Sequence, residues 1–215
     1  MPHLLGYSPA VLPRPRDWPA NVHVTGYWWL DTPPTYEPSP ELVRFLDAGD
    51  PPIGVGFSSQ VGPYTAGVNA TVIEAASRAG VRIVLIGGFG ALPADGVPAH
   101  VCPVRTVPYD WLFPRLRGFA HQGGSGTVGS ALRFGVPNVA VTFGYDQPLW
   151  GERLHALGVG PAPIELRRLT VDALAAAFRA MASQPELRVR AVEVARQIGQ
   201  EDGIGEAVRL VVRSG

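Results

Sequence analysis

Short apolar segments alternate with longer amphipathic segments from residue 51 onward, and this alternation constrains the fold most strongly. The apolar segments are nearly continuous, which is typical of strands that are buried on both faces. Strands are predicted at 53–58, 81–86, 100–103, 118–121 and 138–143, with a sixth, edge strand at 159–161. Helices are predicted over 64–79, 125–134, 148–157, 184–198 and 204–212, and Thr170 is predicted to cap a further helix that ends at 182. The pattern predicts an α/β fold, a Rossmann-like parallel sheet with helices on both faces.

Residues 1–50 differ in composition from the rest of the chain. Proline disrupts helix interiors and central strands, and this stretch contains Pro9, Pro13, Pro15, Pro19, Pro33, Pro34, Pro38 and Pro40. Its large aromatic side chains, which argue against disorder, are Trp18, Tyr27, Trp28, Trp29 and Tyr36. We expect an extended arm over 1–50 whose rings pack on a protein surface, such as that of a further domain. A globular domain is expected over 51–215.

Composition and charge narrow the classes of function. The chain has 215 residues, 46% hydrophobic and 17% charged, which is the balance of a folded soluble protein. Its formal net charge is zero, so nucleic acid and anionic membranes are not expected partners. We predict no transmembrane segment and no signal peptide, because no apolar run has the required length. Cys102 is the single cysteine, so no internal disulfide forms, and a cytoplasmic location is expected.

A glycine-rich loop, His121-Gln122-Gly123-Gly124-Ser125-Gly126-Thr127, follows the fourth predicted strand and begins a helix. Glycines allow a ligand to approach the backbone closely because they carry no Cβ. The first N–H groups of a helix have no partner within the helix, and the helix dipole favours negative charge there. The hydroxyls of Ser125 and Thr127 add further donors. The loop therefore predicts a site for a diphosphate.

Two other interpretations of this loop remain open. A tight strand-to-helix turn without a ligand needs the same glycines. The segment Gly124-Ser125-Gly126-Thr127-Val128-Gly129 also matches the dinucleotide fingerprint G-x-G-x-x-G, with Asp146 about 20 residues further on. Two features count against a dinucleotide. The motif follows the fourth predicted strand and not the first, and Asp146 lies beyond the tip of the next strand.

Asp146 and Gln147 follow the fifth predicted strand, at the edge of a parallel sheet where ligands bind. A carboxylate and an amide suit sugar hydroxyls, which both donate and accept hydrogen bonds. Spacing alone favours another role, in which Asp146 caps the next helix and Gln147 is solvated. The sequence has no cluster at metal-ligand spacing and no Asp-x-Asp pair, so no metal is expected. Helix N–H groups and side chains would then meet the charge of a leaving group.

A series of co-linear motifs covers nearly the whole chain. The motifs are Gly26-Tyr27-Trp28, Val55-Gly56-Phe57-Ser58-Ser59, Val107-Pro108-Tyr109-Asp110-Trp111-Leu112-Phe113-Pro114, the glycine loop, Gly135-Val136-Pro137, Asp146-Gln147-Pro148 with Trp150-Gly151, and Leu157-Gly158-Val159-Gly160-Pro161. Together they resemble the UDP-glycosyltransferases of the sterol 3-beta-glucosyltransferase and glycopeptide-antibiotic branch. The resemblance implies the C-terminal, donor-binding half of a two-domain GT-B fold. Residues 1–50 would be the interdomain linker, and the N-terminal acceptor-binding domain would be missing.

The resemblance also implies which residues bind a nucleotide sugar. Uracil is expected near Thr106, Val107 and Trp111. The diphosphate is expected at Gln122, Gly124, Ser125, Gly126 and Thr127. The donor sugar is expected at Asp146 and Gln147, with Ser59 and Gln60 near the interdomain cleft.

The sequence departs from the family's pattern at several positions. Gln122 replaces the usual His that contacts the diphosphate, and Gln can donate a hydrogen bond but cannot carry positive charge. Weaker stabilisation of the leaving group, or a changed donor preference, is therefore expected. In addition, Tyr109 replaces a usual His, Gln60 a common Met and Ser58 a common Gly. These departures concern the identity of the donor more than the fold.

The implied function is metal-independent, inverting transfer of a hexose to a hydroxyl of a lipophilic acceptor, such as a sterol or another natural product. The expected co-substrate is a UDP-sugar, with UDP-glucose first, and no cofactor is expected. A general base must lie within hydrogen-bond reach of the proton that it takes, and in this family it lies in the N-terminal domain. We therefore assign no catalytic base and expect the isolated chain to be inactive.

Three other functions remain as hypotheses from the sequence. The chain could be a non-catalytic nucleotide-sugar-binding module or one subunit of a split enzyme, which would bind UDP without turnover. It could be an NAD(P)-binding domain, which would prefer NAD over UDP. It could also belong to an epimerase of related two-domain architecture, which would act on the donor without an acceptor.

Overall fold

The computed structural model describes residues 1–57, 65–87 and 96–213. Its strands are β1 (His3–Leu5), β2 (Val22–Val24), β3 (Ile53–Gly56), β4 (Ile83–Ile86), β5 (Val101–Val104), β6 (Gly118–His121), β7 (Asn138–Thr142) and β8 (Ile164–Glu165). Within the described residues, β1 and β2 form a small parallel pair. The remaining strands form one parallel sheet with the order β5-β4-β3-β6-β7-β8.

The helices are α1 (Pro40–Asp47), α2 (Thr65–Ala79), α3 (Tyr109–Leu112), α4 (Ser125–Arg133), α5 (Gln147–Ala156), α6 (Val171–Ser183), α7 (Pro185–Ile198) and α8 (Gly203–Val212). Two short 3-10 turns, Phe113–Arg115 and Leu166–Arg168, complete the regular structure of these residues. Every helix predicted from the sequence is present, with each end within one residue of its prediction. The α/β, Rossmann-like fold is therefore confirmed.

Helices cover both faces of the sheet because the strand side chains alternate between two cores. On β4, Ile83 and Leu85 pack in a cluster with buried side chains of α2 and α6. Val84 and Ile86 point to the other face and pack in a second cluster, which includes Leu42 of α1. All four residues of β4 are buried, which explains the unbroken apolar run in the sequence.

The direction of the crossovers reverses between β3 and β6. From β3 the chain continues outward through β4 to β5, and from β6 it continues in the opposite direction through β7 to β8. β3 and β6 lie side by side, with Gly56 in register with His121 at their carboxyl ends. A crevice forms where crossovers diverge, and ligands of such sheets bind there. The glycine loop follows β6 and therefore lies at this crevice.

The sixth, edge strand was predicted at 159–161, and this prediction is wrong. The edge strand is β8, in which Ile164 pairs with Val141 and Glu165 with Thr142. The segment 159–161 contacts β7 only at its beginning, where the Asn138 amide donates to the Val159 carbonyl (3.0 Å). Pro161 and Pro163 have no amide hydrogen and cannot donate to a strand ladder, so regular pairing starts after them.

The arm over 1–50 is not extended throughout, because it contains helix α1. Pro40 occupies the first turn of this helix, where its missing N–H group would have had no partner. The hydroxyl of Ser39 accepts from the Leu42 amide (3.3 Å) and caps the helix. The many prolines of this stretch led to a prediction without a helix, although Ser39-Pro40 is a typical helix start.

The aromatic rings of the arm pack on helices of the same chain. Tyr27 is 4% exposed and lies against Gly129 of α4, where an added Cβ would overlap its ring. Its backbone carbonyl lies so close to Gly203 of α8 that a Cβ there would also overlap. The Trp29 ring lies 5.0 Å from Tyr27 and carries the Arg133 guanidinium at 4.9 Å. The predicted packing of rings on a protein surface is confirmed, and α4 and α8 provide part of that surface.

Substitutions of two glycines of α4 distinguish the effect of the Tyr27 contact from the effect of helix propensity. Gly129→Ala is expected to lower the free energy of unfolding by about 1–3 kcal/mol, because Tyr27 must move. Gly126→Ala, where no atom lies within 4 Å, is expected to raise it by up to about 1 kcal/mol. Urea denaturation followed by circular dichroism measures both. Equal effects of the two substitutions would contradict the packing of Tyr27 on α4.

Candidate functional site

The glycine loop turns sharply between β6 and α4. Gly123 has a φ of +90°, a left-handed conformation that favours glycine. Gly124 precedes the helix in an extended conformation, and no side chain caps the helix. In the described part of the chain, the amides of Ser125, Gly126 and Thr127 donate to no protein acceptor. The first turn of α4 therefore presents three N–H groups at the crevice.

His121 is buried next to this loop and accepts a hydrogen bond from its backbone. The sequence did not indicate this role. The Nδ1 of His121 accepts from the Gly123 amide (3.0 Å), so its Nε2 carries the proton and donates to Asn138 Oδ1 (3.0 Å). The ring is fully buried, and burial lowers the pKa of His121 to about 4, although the bond to Asn138 favours the charged form. Because the imidazole is neutral near pH 7, it orients the loop without contributing positive charge.

Gln122 is buried beneath the loop and has an unsatisfied group. Its side chain is 8% exposed, and its Oε1 has no hydrogen-bond partner among the described residues. Its Nε2 lies 3.2 Å from the position that a Cβ on Gly124 would occupy, so the amide lies beside the helix start. A buried polar atom without a partner is costly, and a ligand group or water at this position would remove the cost.

The side chain of Gln147 hydrogen-bonds to the backbone of the loop after β7. This side chain is 5% exposed, and its Oε1 accepts from the amides of Phe143 (2.7 Å) and Gly144 (3.2 Å). The prediction that Gln147 is solvated is therefore wrong. The Gln147 carbonyl also lies 3.1 Å from the position of an added Cβ on Gly123. This contact brings the glycine loop and the start of α5 together.

Asp146 occupies the N-cap position of α5 but does not cap it. No helix amide donates to its side chain, and its Oδ2 instead accepts from the indole Nε1 of Trp150 (2.8 Å). The capping interpretation is therefore wrong, because the indole one turn away holds the carboxylate. Asp146 itself is exposed at the carboxyl edge of the sheet.

Tyr145, next to Asp146, is a feature that the sequence did not reveal. It is the non-glycine residue with positive φ (57°) in the described ranges, and its side chain is 95% exposed. Such conformations cost energy and recur at functional loops. Nothing in the string Gly144-Tyr145-Asp146 signals a left-handed tyrosine.

The loop after β5 borders a groove of about 350 Å³. Val107 and Pro108 form one wall, Ser130 and Arg133 of α4 form another, and Trp29 of the arm closes it. The structure thus brings Val107 to the same side of α4 as the arm.

Thr106 and Trp111, the other two residues predicted to bind uracil, lie in positions that differ from that of Val107. Thr106, which precedes Val107, is exposed and does not line the groove. Trp111 does not line this groove. Its ring packs edge-on to Tyr36 at 5.8 Å and lies 4.1 Å from the Arg115 guanidinium. Of the three predicted residues, the structure brings Val107 to the groove and directs Trp111 elsewhere.

Ser59 and Gln60, predicted near the interdomain cleft, lie outside the described residues, as does Ser58. Within 1–57, 65–87 and 96–213, no group of three or more His, Cys, Asp or Glu side chains could hold a metal ion. Across those same residues, the helices are too short or too polar to cross a bilayer.

The fold and the open start of α4 define a Rossmann-like α/β domain with a candidate ligand site at its carboxyl edge. Residues 71–211 match the family model described as Erythromycin biosynthesis protein CIII-like, C-terminal domain. The chain belongs to this family of glycosyltransferase C-terminal domains. The predicted donor-binding half of a glycosyltransferase is confirmed. The family match gives no support to a dinucleotide-binding domain or an epimerase.

Relatives of known activity agree with this family. The chain is 40% identical to the O-mycaminosyltylonolide 6-deoxyallosyltransferase of Streptomyces fradiae, over 98% of this chain and 49% of that protein. It is 37% identical to a sterol 3-beta-glucosyltransferase of Arabidopsis thaliana, over 97% of this chain and 33% of that protein. The chain thus spans half or less of the length of these relatives.

Solved structures show the same fold. The glycotransferase of kitacinnamycin superposes with a TM-score of 0.82 at 21% identity, over 99% of this chain and 54% of that chain. Glycosyltransferase VinC in complex with dTDP superposes with a TM-score of 0.61 at 23% identity, over 76% of this chain and 42% of that chain. The chain therefore has the fold of one half of a GT-B glycosyltransferase.

The buried His121 predicts a specific dependence of stability on pH. The unfolded chain protonates His121 below its ordinary pKa of about 6.5, whereas the folded chain does so only near pH 4. Stability from this group is complete above about pH 6.5 and is lost as the pH falls toward 4. The loss between pH 7 and pH 5 is expected to be about 2 kcal/mol. His121→Gln, measured by urea denaturation at both pH values, should lack this component.

Proton NMR of the wild-type imidazoles provides an independent check. One ring, identified by its absence in His121→Gln, should titrate with a midpoint near 4. His3→Gln removes an exposed imidazole and is the control for the loss of a ring. A midpoint above 6 for the His121 ring would contradict its role as a buried neutral group.

Proposed function

We propose that the chain binds a nucleoside diphosphate sugar and serves as the donor half of a metal-independent, inverting hexosyltransferase. UDP-glucose is the first candidate donor, and a hydroxyl of a lipophilic acceptor, such as a sterol, is the candidate acceptor. The names of the relatives support both, since one of them is a sterol 3-beta-glucosyltransferase. The single cysteine supports a cytoplasmic location.

The observation that carries the proposal is the open first turn of α4. The amides of Ser125, Gly126 and Thr127 have no acceptor among the described residues, and they face the crevice at the point where the crossovers reverse. A diphosphate accepts from such amides and is favoured by the helix dipole. The hydroxyls of Ser125 and Thr127 and the buried amide of Gln122 would add neutral hydrogen bonds. Neutral donors would hold the leaving UDP here in place of a histidine cation.

The sugar, in this proposal, lies between the glycine loop and Asp146. Gln147 already uses its Oε1 for the loop backbone, so its amide NH2 group is the part that can serve a ligand. Asp146 offers carboxylate oxygens that accept from sugar hydroxyls. The nucleobase of the donor would lie in the groove beside Val107, where Pro108 and Trp29 form apolar walls. Thr106 would border it, and Trp111 would act there only indirectly.

A dTDP-sugar is a second candidate donor. One structural neighbour is named as a complex with dTDP, and one relative transfers a 6-deoxyallosyl group. Gln122, which stands where UDP-glucosyltransferases of this type usually have His, is consistent with a changed donor. The acceptor site and the catalytic base would come from the other half of the enzyme, because the relatives are at least twice as long as this chain.

Calorimetric titration of the chain with UDP, UDP-glucose, dTDP and NAD⁺ tests the proposal. We expect UDP or dTDP to bind with a Kd below about 1 mM, and UDP-glucose to show no turnover without an acceptor domain. Binding without turnover also distinguishes a donor-binding half from an epimerase. If none of these nucleotides bound, or if NAD⁺ bound more tightly than UDP and dTDP, the proposed donor site would be overturned.

A substitution at the helix start tests the location of the diphosphate. Gly126→Ala places a methyl group where the ligand would approach, and it is expected to weaken UDP binding at least about tenfold while the fold remains stable. Ser183→Ala is the matched control, since it also favours helix but lies at the end of α6, remote from the loop. Unchanged affinity in Gly126→Ala would exclude α4 as the diphosphate site.

A further inference from the structure

Trp150 is a buried residue that hydrogen-bonds to Asp146 of the candidate sugar site. The residue lies one turn beyond Asp146 on α5, its side chain is 5% exposed, and its indole Nε1 donates to Asp146 Oδ2 (2.8 Å). An N–H donor paired with a carboxylate forms a stronger bond than a neutral pair. The exposed Asp146 is therefore held by a buried neighbour.

The arm fixes the orientation of the indole. Tyr7, 8% exposed, packs edge-on against the Trp150 ring with the ring centroids 5.4 Å apart and the planes at 74°. The adjacent Ser8 donates to Glu201 Oε1 (2.5 Å), and the Val11 carbonyl accepts from Arg153 Nε of α5 (2.9 Å). These bonds attach the segment around Tyr7 to α5 and to the turn before α8. Rotation of the indole would require this segment to move.

The indole bond also competes with helix capping. An aspartate at the N-cap position normally accepts from helix amides, which draws its carboxylate toward the helix. Here the capping bond is absent and Oδ2 is bound to the indole instead. This arrangement holds the carboxylate in one rotamer and leaves its second oxygen for a hydroxyl donor. A free carboxylate would have to lose its rotational freedom on each binding event.

We propose that Trp150 is a positioning residue for the donor sugar: its indole N–H, oriented by Tyr7, holds the Asp146 carboxylate for a sugar hydroxyl. The inference rests on the proposed function and adds a residue that does not itself contact the ligand. It predicts an effect on the sugar and not on the nucleotide, because Asp146 lies beyond the diphosphate loop.

Trp150→Phe tests this role, because it retains a buried aromatic ring and removes the N–H donor together with part of the ring volume. The Kd of UDP-glucose is expected to rise about threefold to tenfold, while the Kd of UDP stays unchanged. Trp28→Phe controls for the loss of an indole hydrogen bond, since it removes the bond from the half-exposed Trp28 to Thr25 (2.9 Å) outside the site. A merely structural role would weaken UDP and UDP-glucose binding equally, and that result would overturn the proposal.

A second measurement does not depend on the stability of the variant. In ¹⁵N-labelled wild-type chain, the Trp150 indole N–H resonance should shift on addition of UDP-glucose and much less on addition of UDP. Asp146→Asn, which keeps the fold but weakens the acceptor, identifies this resonance. Equal shifts with both ligands would overturn the role of Trp150 while leaving the donor site intact. Failure of the wild-type chain to bind UDP would instead overturn the proposed function, and the inference with it.

Discussion

The side-by-side pairing of β3 and β6 is the constraint on which the rest of the structure depends. It places the two divergent crossovers next to each other and opens a crevice at the carboxyl edge. Gly54 on β3 lies opposite Phe119 on β6, and an added Cβ would lie 2.7 Å from that ring. The missing side chain lets an aromatic ring fill the core between the strands. The glycine loop and the arm take their positions from this pair.

Buried neutral groups build the loop at the crevice. His121 accepts and donates one hydrogen bond each, and Gln147 ties the neighbouring loop through a single oxygen. Neither contributes charge, so in the proposed donor site an anion would be attracted by the first turn of α4. This differs from a site built on cations, in which a long-range field would add to the short-range bonds. The geometry of the amides therefore matters more here than net charge.

The arm belongs physically to the domain that it precedes. Tyr27 fits against glycines of α4 and α8, and Tyr7 packs on Trp150, so residues distant in sequence share one core. An arm that only connected two domains would not need these contacts. The arm instead packs on α5, where Tyr7 contacts Trp150 and the Val11 carbonyl accepts from Arg153. Through Trp150, these aromatic contacts reach Asp146 at the carboxyl edge of the sheet.

The amino-acid sequence by itself determined the order of strands β3 to β7 and of six helices from α2 onward, because burial on both faces of a parallel sheet leaves unbroken apolar runs and helices leave a 3.6-residue period. It also located the glycine loop, since a close backbone approach requires glycine. Only the tertiary structure decided the partners of side chains that could bond in more than one way. Asp146 could cap α5 or meet an indole, and Gln147 could face solvent or bind a loop. The partners that they bond lie only three or four residues away, but the packing that selects them comes from distant residues, with Tyr7 against Trp150 and Gly123 beside Gln147, which no local pattern encodes.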